Sequence, residues 1–175
     1  TWIVVGHVDT TVPIIQHAEF GDGKSHVITY RVTVIGLCSL AGSFEGEYGQ
    51  YENAVRFLSM WPQLETFTVD ATGVGDPVYE RFTVLLPNVN VQPFKFSPQA
   101  KSNAYKRYLQ RIGSRQISYA GGVRFTDGTI IDDYESEHEG LHKSYNGSIL
   151  QVYAGDPEGH DDGPDATVTM LEGVD

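Results

Sequence analysis

The sequence predicts an α/β domain, with a strand-rich first part followed by alternating strands and helices. Residues 2–38 consist mainly of apolar and β-branched runs separated by short turns. Strand-like and helix-like segments then alternate over residues 51–112, which is typical of parallel β-α-β units. A chain of 175 residues is long enough to form one domain with a sizeable core.

The first part contains three predicted strands, over residues 2–8, 12–20 and 26–38. The first is continuously apolar and β-branched, as in a buried strand. Residues 21–24 (Gly-Asp-Gly-Lys) have the composition of a turn between the second and third strands. We therefore expect a three-strand meander.

The alternating part contains three helices and two strands. Its predicted elements are a helix over 51–61, a strand over 67–69, a helix over 76–86, a strand over 89–96 and a helix over 97–112. Pro62 ends the first of these helices, and Gly113 ends the last. Asp76 and Pro77 are suited to the cap and first turn of the middle helix.

The last part is less regular. Residues 130–142 are acidic and fit either a helix or a strand. Asn146-Gly147 is a strong two-residue hairpin turn, and residues 149–153 form its second strand. A glycine-rich acidic loop precedes a final helix over 161–171.

The charge balance excludes some partners. Asp and Glu total 23 against 12 Lys and Arg, which gives a net charge of −11. This excess argues against sequence-blind adhesion to DNA or to an anionic membrane. The single cysteine, Cys38, excludes an internal disulfide and indicates a reducing compartment. No apolar run reaches the roughly 18 residues of a membrane helix.

Acidic residues stand where a metal site is expected. Asp9 and Asp70 each follow a predicted strand, and Asp161 and Asp162 open the last helix. If the strands before Asp9 and Asp70 are neighbours, the two carboxylates lie side by side in the crevice beyond the strand ends. Converging carboxylates without His or Cys suit Mg²⁺ or Mn²⁺, and two such ions can promote phosphodiester hydrolysis.

Three segments together resemble a known family. Residues 69–77 (Val-Asp-Ala-Thr-Gly-Val-Gly-Asp-Pro) resemble the second acidic motif of large-terminase nuclease domains, the DNA-cutting parts of motors that package tailed-virus genomes. Residues 159–166 (Gly-His-Asp-Asp-Gly-Pro-Asp-Ala) resemble the closing motif of that family. Residues 5–11 (Val-Gly-His-Val-Asp-Thr-Thr) are similar to its opening strand. The resemblance covers nearly the whole chain.

The resemblance implies an RNase H-like fold over residues 1–175, with a five-stranded mixed sheet, flanking helices and a C-terminal β-hairpin. Three antiparallel strands come first, and two strands parallel to the first follow. It also implies an endonuclease with two Mg²⁺ or Mn²⁺ ions that cuts concatemeric double-stranded DNA during packaging. The resemblance further implies a longer chain with an N-terminal ATPase domain. The implied partners are a portal and a small terminase subunit, the implied location is the host cytoplasm, and no membrane is involved.

By the same resemblance, Asp9 and Asp70 are metal ligands, and the third ligand is Asp161 or Asp162. Other residues are candidates for roles beside the metal ligands. Candidates to support the site or face DNA are His160, Asp165, Lys101 and Lys143. Two departures from the family pattern stand out, because His7 interrupts the first motif and Gly163-Pro164 replaces apolar residues in the last.

Three alternatives remain open from the sequence. The first is another RNase H-like nuclease, of the junction-resolvase or transposase type. The second is a zinc peptidase, because His138-Glu139-Gly140-Leu141-His142 matches the H-E-x-x-H pattern. That pattern requires both imidazoles on one face of a helix, and Gly140 weakens a helix there. The third is an acidic binding module that holds a structural ion.

Overall fold

The computed structural model describes residues 1–20, 23–73, 75–124 and 128–174. These residues form seven strands and five helices. The strands are β1 (Trp2–Phe20), β2 (Gly23–Ser39), β3 (Thr66–Asp70), β4 (Asn90–Phe94), β5 (Ile117–Arg124), β6 (Leu141–Asn146) and β7 (Ile149–Ala154). The helices are α1 (Gln50–Leu58), α2 (Gly75–Leu85), α3 (Pro98–Gly113), α4 (Gly128–Glu139) and α5 (Asp162–Glu172). Among the described helices, none has the length and apolar character needed to span a bilayer.

β1 and β2 form one long antiparallel hairpin, so the predicted three-strand meander is wrong. Trp2 pairs with Ser39, and the pairing continues past Asp9 to the far end of β1 with a register shift between Asp9 and Ile14. The chain does not reverse there because the intervening residues are mostly β-branched and favour extended backbone. Pro13 lies within the shift, where its missing N–H is tolerated. Residues 21 and 22 of the predicted turn lie outside the described residues.

The other strands are arranged differently from the expected single sheet. β5, which the sequence did not predict, pairs parallel with β2. β3 and β4 pair parallel with each other and are joined through α2, as predicted for a β-α-β unit. β6 and β7 form the predicted hairpin. The described strands therefore form three sheets, and β1 is not hydrogen-bonded to β3.

A shared apolar core nevertheless holds β1 and β3 near each other. Ile3 and Val5 of β1 belong to the same buried cluster as Val69 of β3. Helix α5 packs against both strands. Gly6 permits this approach, because a Cβ there would lie 2.7 Å from the sulfur of Met170 on α5. The two sheets thus face a common helix without forming a continuous ladder.

A second core lies beneath α3. Tyr105 and Tyr108 of α3 are buried beside Leu150 of β7 and Val168 of α5. The Ser102 hydroxyl accepts the Leu150 N–H at 2.9 Å and ties α3 to the hairpin. This packing fixes α3 next to the start of α5, where the closing acidic motif lies.

Candidate functional site

A large crevice lies between β1 and β3 and reaches α5. Its volume is about 1610 Å³. Asp70 lines it from the end of β3, and Asp162 and Asp165 line it from the first turn of α5. The structure thus brings acidic residues of the second and third motifs, which are about 90 residues apart in the chain, to one cavity.

Asp70 has the local geometry expected of a residue that ends a buried strand. It follows the buried Val69 and is itself exposed. Its Oδ1 accepts the N–H of Thr72 at 2.8 Å, a turn that redirects the chain away from the sheet. The Thr72 hydroxyl in turn accepts the N–H of Phe96 at 2.8 Å. These two bonds anchor the Asp70 loop to the segment that follows β4.

Asp9 has a similar turn but a different setting. Its Oδ1 accepts the Thr11 hydroxyl at 2.5 Å and the Thr11 N–H at 3.0 Å. These bonds, first that of the hydroxyl and then that of the N–H, hold the pKa of Asp9 below its usual value. Val8 and Thr10 line the crevice, but Asp9 is not among the described residues that do so. Thr11 thus holds the Asp9 carboxylate, and its place beside Asp70 stays a prediction.

A lysine occupies the acidic start of α5. Lys101 Nζ lies 2.7 Å from Asp165 Oδ2 and 3.2 Å from Asp161 Oδ2. Tyr105 donates its hydroxyl to Asp165 Oδ1 at 2.6 Å. The Lys101 ammonium also lies 5.5 Å from the ring centre of Phe96. Lys101, predicted to contact phosphates, is thus bound by two carboxylates in this structure.

Burial and charge act together in this network. Burial raises the pKa of Asp165, and the hydrogen bonds from Lys101 and Tyr105 offset only part of that effect. Burial acts to lower the pKa of Lys101, but the hydrogen bond and charge of Asp165, together with Asp161, outweigh it and raise that pKa. Burial is also the main reason that the pKa of Tyr105 is raised. At neutral pH, Lys101 therefore stays charged and Tyr105 stays a donor.

The Gly163-Pro164 departure is explained by a close helix contact. Both residues are buried at the start of α5. A Cβ on Gly163 would lie 2.9 Å from Glu137 Oε2 and 3.0 Å from the Tyr134 ring, both on α4. Glycine therefore leaves room for the Glu137 carboxylate and the Tyr134 ring, and proline is favourable in a first helical turn. Glu137 contacts the acidic motif although no sequence pattern pointed to it.

The remaining candidates lie at the periphery. His160 is exposed in the loop immediately before Asp161. Lys143 is exposed on β6 and lines a second cavity of about 580 Å³, between α3, α4 and the β6–β7 hairpin, rather than the crevice. Contacts of His160 and Lys143 with DNA stay predictions.

The chemistry of the crevice suits a hard divalent cation, because carboxylates from two elements line it. Across the described ranges, however, no group of three or more His, Cys, Asp or Glu side chains has the spacing to hold a metal ion. The single positive charge of Lys101 offsets part of the negative charge of Asp161 and Asp165. The donor types fit the expected ions, and the convergence of Asp9, Asp70 and Asp161 or Asp162 on them stays a prediction.

The zinc-peptidase reading of residues 138–142 is wrong. α4 ends at Glu139, and β6 begins at Leu141, so His138 and His142 do not share a helix face. His138 is partly buried against the Tyr134 ring, and its Nδ1 lies 2.8 Å from the Tyr134 carbonyl oxygen. Gly140 separates the helix from the strand, as its weak helix propensity suggested. The H-E-x-x-H match is therefore accidental.

Comparison with known proteins identifies the fold. No protein-family model matches the chain, and no curated protein sequence matches it. Among solved structures, it is similar to a variant of the nuclease domain of the large terminase subunit gp2 of bacterial virus Sf6, determined with manganese and beta-thujaplicinol. The match has a TM-score of 0.57 and 11% identity, and covers 97% of this chain and 87% of that one.

The chain has the α/β fold of a terminase nuclease domain. The family resemblance seen in its acidic motifs is thereby confirmed at the level of the fold. The manganese belongs to the structure of the Sf6 domain and is consistent with the donor types in the crevice of this chain.

Proposed function

We propose that this domain is a divalent-metal-dependent endonuclease that cuts double-stranded DNA. The observation that carries the proposal is the meeting of Asp70 and Asp162 at one crevice in a terminase-nuclease fold. Carboxylates from a strand end and from a helix start supply oxygen ligands of the kind that Mg²⁺ and Mn²⁺ prefer.

The proposed ligands are Asp9, Asp70 and one or both of Asp161 and Asp162. Bound in a pair, the two ions would supply activation of a water and stabilisation of the leaving oxygen of the phosphodiester. The carboxylates of these residues would hold the ions. Lys101 would offset part of the negative charge of Asp161 and Asp165 before the ions bind, because its ammonium lies 3.2 Å and 2.7 Å from their carboxylate oxygens.

The same proposal includes a single five-stranded sheet in which β1 pairs with β3. In the described chain, β1 and β3 present unpaired edges to the crevice, and α5 packs on both. Pairing of these edges would order the strands β5-β2-β1-β3-β4, a five-stranded mixed sheet. It would also bring the end of the first motif toward Asp70. Two exposed strand edges are ready templates for such pairing.

The biological setting follows from the family resemblance. We propose that the domain cuts concatemeric viral DNA during genome packaging in the cytoplasm of the host. It would act as part of a longer chain with an N-terminal ATPase, together with a portal and a small terminase subunit. The net charge of −11 disfavours tight metal-free binding to DNA, so we expect DNA binding to depend on the ions.

A plasmid-cleavage assay with Mg²⁺, Mn²⁺, Ca²⁺ or Zn²⁺ tests the proposal. We expect cutting with Mg²⁺ or Mn²⁺ that Asp70→Asn abolishes. Asp133→Asn is the matched control, because Asp133 is exposed on α4 and does not line the crevice. Cutting by the Asp70 variant at the wild-type rate in Mn²⁺ would overturn the assignment. A strong preference for four-way junctions over linear duplex would instead indicate a resolvase.

A further inference from the structure

The start of α5 is capped by a residue from a different helix. Asp161 is the N-cap residue of α5, yet its side chain makes no capping hydrogen bond within the described chain. Instead, Glu137 of α4 accepts the Gly163 N–H through Oε2 at 2.6 Å. Gly163 is the second residue after the cap, and its N–H is one that an N-cap side chain ordinarily accepts.

Glu137 is held in this position by a second bond and by close packing. Its other carboxylate oxygen, Oε1, accepts the indole N–H of Trp2 at 3.1 Å. The absence of a side chain at Gly163 leaves room for the carboxylate, since a Cβ would lie 2.9 Å from Oε2. One glutamate therefore links α4, the first residue of β1 and the first turn of α5.

Because Glu137 caps α5, the Asp161 carboxylate is open to other partners. An aspartate that caps its own helix has a carboxylate oxygen committed to a backbone N–H. Here Glu137 takes that donor, and Asp161 Oδ2 points to Lys101 at 3.2 Å. Asp162, the next residue, lines the crevice. Asp161, the N-cap residue, is thus released from helix capping.

We propose that Glu137 is a positioning residue that caps α5 in place of Asp161 and so keeps Asp161 available to a divalent ion. This inference rests on the proposed function. In Glu137→Ala, the Asp161 side chain turns back to the Gly163 N–H, and an ion has to displace it. The energy of an ordinary N-cap corresponds to a rise of about three- to tenfold in the half-saturating Mn²⁺ concentration.

Mn²⁺ binding to the DNA-free protein, measured by electron paramagnetic resonance, gives the first test. We expect weaker binding in Glu137→Ala and partial rescue in Glu137→Gln, whose amide oxygen still accepts the Gly163 N–H. Glu135→Ala is the matched control, because Glu135 is exposed on the same helix and its loss changes the net charge equally. A loss of stability in Glu137→Ala with unchanged Mn²⁺ binding would show a structural role alone and overturn the inference.

A second test needs no metal. Asp161→Ala is made in the wild-type and in the Glu137→Ala background, and urea unfolding is followed for all four proteins. If Asp161 becomes the cap when Glu137 is lost, Asp161→Ala costs more stability in the variant background, by about fivefold in the unfolding equilibrium constant. Equal costs in both backgrounds would overturn the cap exchange.

The two tests separate this inference from the proposed function. Wild-type protein that binds no Mn²⁺ would overturn the proposed function, and with it the claim that Glu137 keeps Asp161 available to an ion. Normal Mn²⁺ binding that requires Asp70, combined with equal costs in the stability cycle, would overturn the inference alone.

Discussion

Replacing Lys101 by Met is expected to destabilise the domain by about 2 kcal/mol. Lys101 Nζ lies 2.7 Å from Asp165 and 3.2 Å from Asp161, and 26% of its side chain is exposed. A hydrogen bond to a charged group contributes about 1.5–3 kcal/mol, and losing one partner leaves the other charge partly desolvated. Partial exposure lets water recover some of this loss. Met preserves the apolar stem that packs near the Phe96 ring.

The assay is urea unfolding at pH 7 without metal, as a double-mutant cycle with Asp165→Asn. We expect a coupling free energy of about 1–2 kcal/mol. Lys95→Met is the matched control, because the Lys95–Asp76 pair at 2.8 Å is exposed on both sides, and it should cost less than about 0.5 kcal/mol. Additive effects of the Lys101 and Asp165 changes, or equal costs at Lys95 and Lys101, would refute the reasoning.

Three further substitutions test other parts of the structure. Gly163→Ala should cost about 1–3 kcal/mol in urea unfolding, because its Cβ would meet α4 at 2.9 Å. Gly113→Ala, where a Cβ would meet nothing within 4 Å, should be neutral or stabilising, and a loss there equal to that at Gly163 would contradict the steric argument. Burial lowers the pKa of His138 below 6.5, so the unfolded chain binds a proton at a higher pH than the folded chain does, and the free energy of unfolding falls as the pH drops from 7.5 to 5.5. His138→Phe should reduce that fall. A pH dependence of stability unchanged by His138→Phe would contradict this assignment. Tyr105→Phe removes the hydroxyl that donates to Asp165 at 2.6 Å and should cost about 1–2 kcal/mol, whereas wild-type stability would show that water replaces this donor.

Elements with local signals were predictable. Helix α3 is capped by Ser97, whose hydroxyl oxygen accepts the Ala100 N–H at 3.1 Å, and its first helical residue is Pro98. These are the N-terminal signals that the sequence carries. The β3 and β4 strands and the Asn146-Gly147 turn were predicted for similar reasons, because their patterns depend on neighbours in the chain.

Elements whose state depends on distant partners were not predictable. The irregularity after Asp9 was read as a turn, although the pairing with β2 continues through it. β5 gained strand geometry from its parallel contact with β2, and no local pattern indicated it. The residues of α4 fitted either state until packing on α5 and β2 decided it. In each case, tertiary contacts outweighed weak local preference.

The candidate site also contains residues that the sequence predicted and one that it did not. The motifs placed Asp70 and Asp162 correctly at a strand end and a helix start, and the structure brings them to one crevice. Their catalytic role stays a prediction, as does that of Asp9. Glu137 had no signal in the sequence, because it acts on Gly163 from 26 residues away through a helix of otherwise ambiguous pattern.

By itself, the sequence determined the α/β class, the acidic motifs and the terminase-nuclease resemblance, because residue types, caps and spacing are local properties of the chain. Only the tertiary structure decided which carboxylates share a cavity, which of them Lys101 contacts and which residue caps α5. Those outcomes depend on which helices and strands pack together, and packing is a property of the whole chain rather than of any segment.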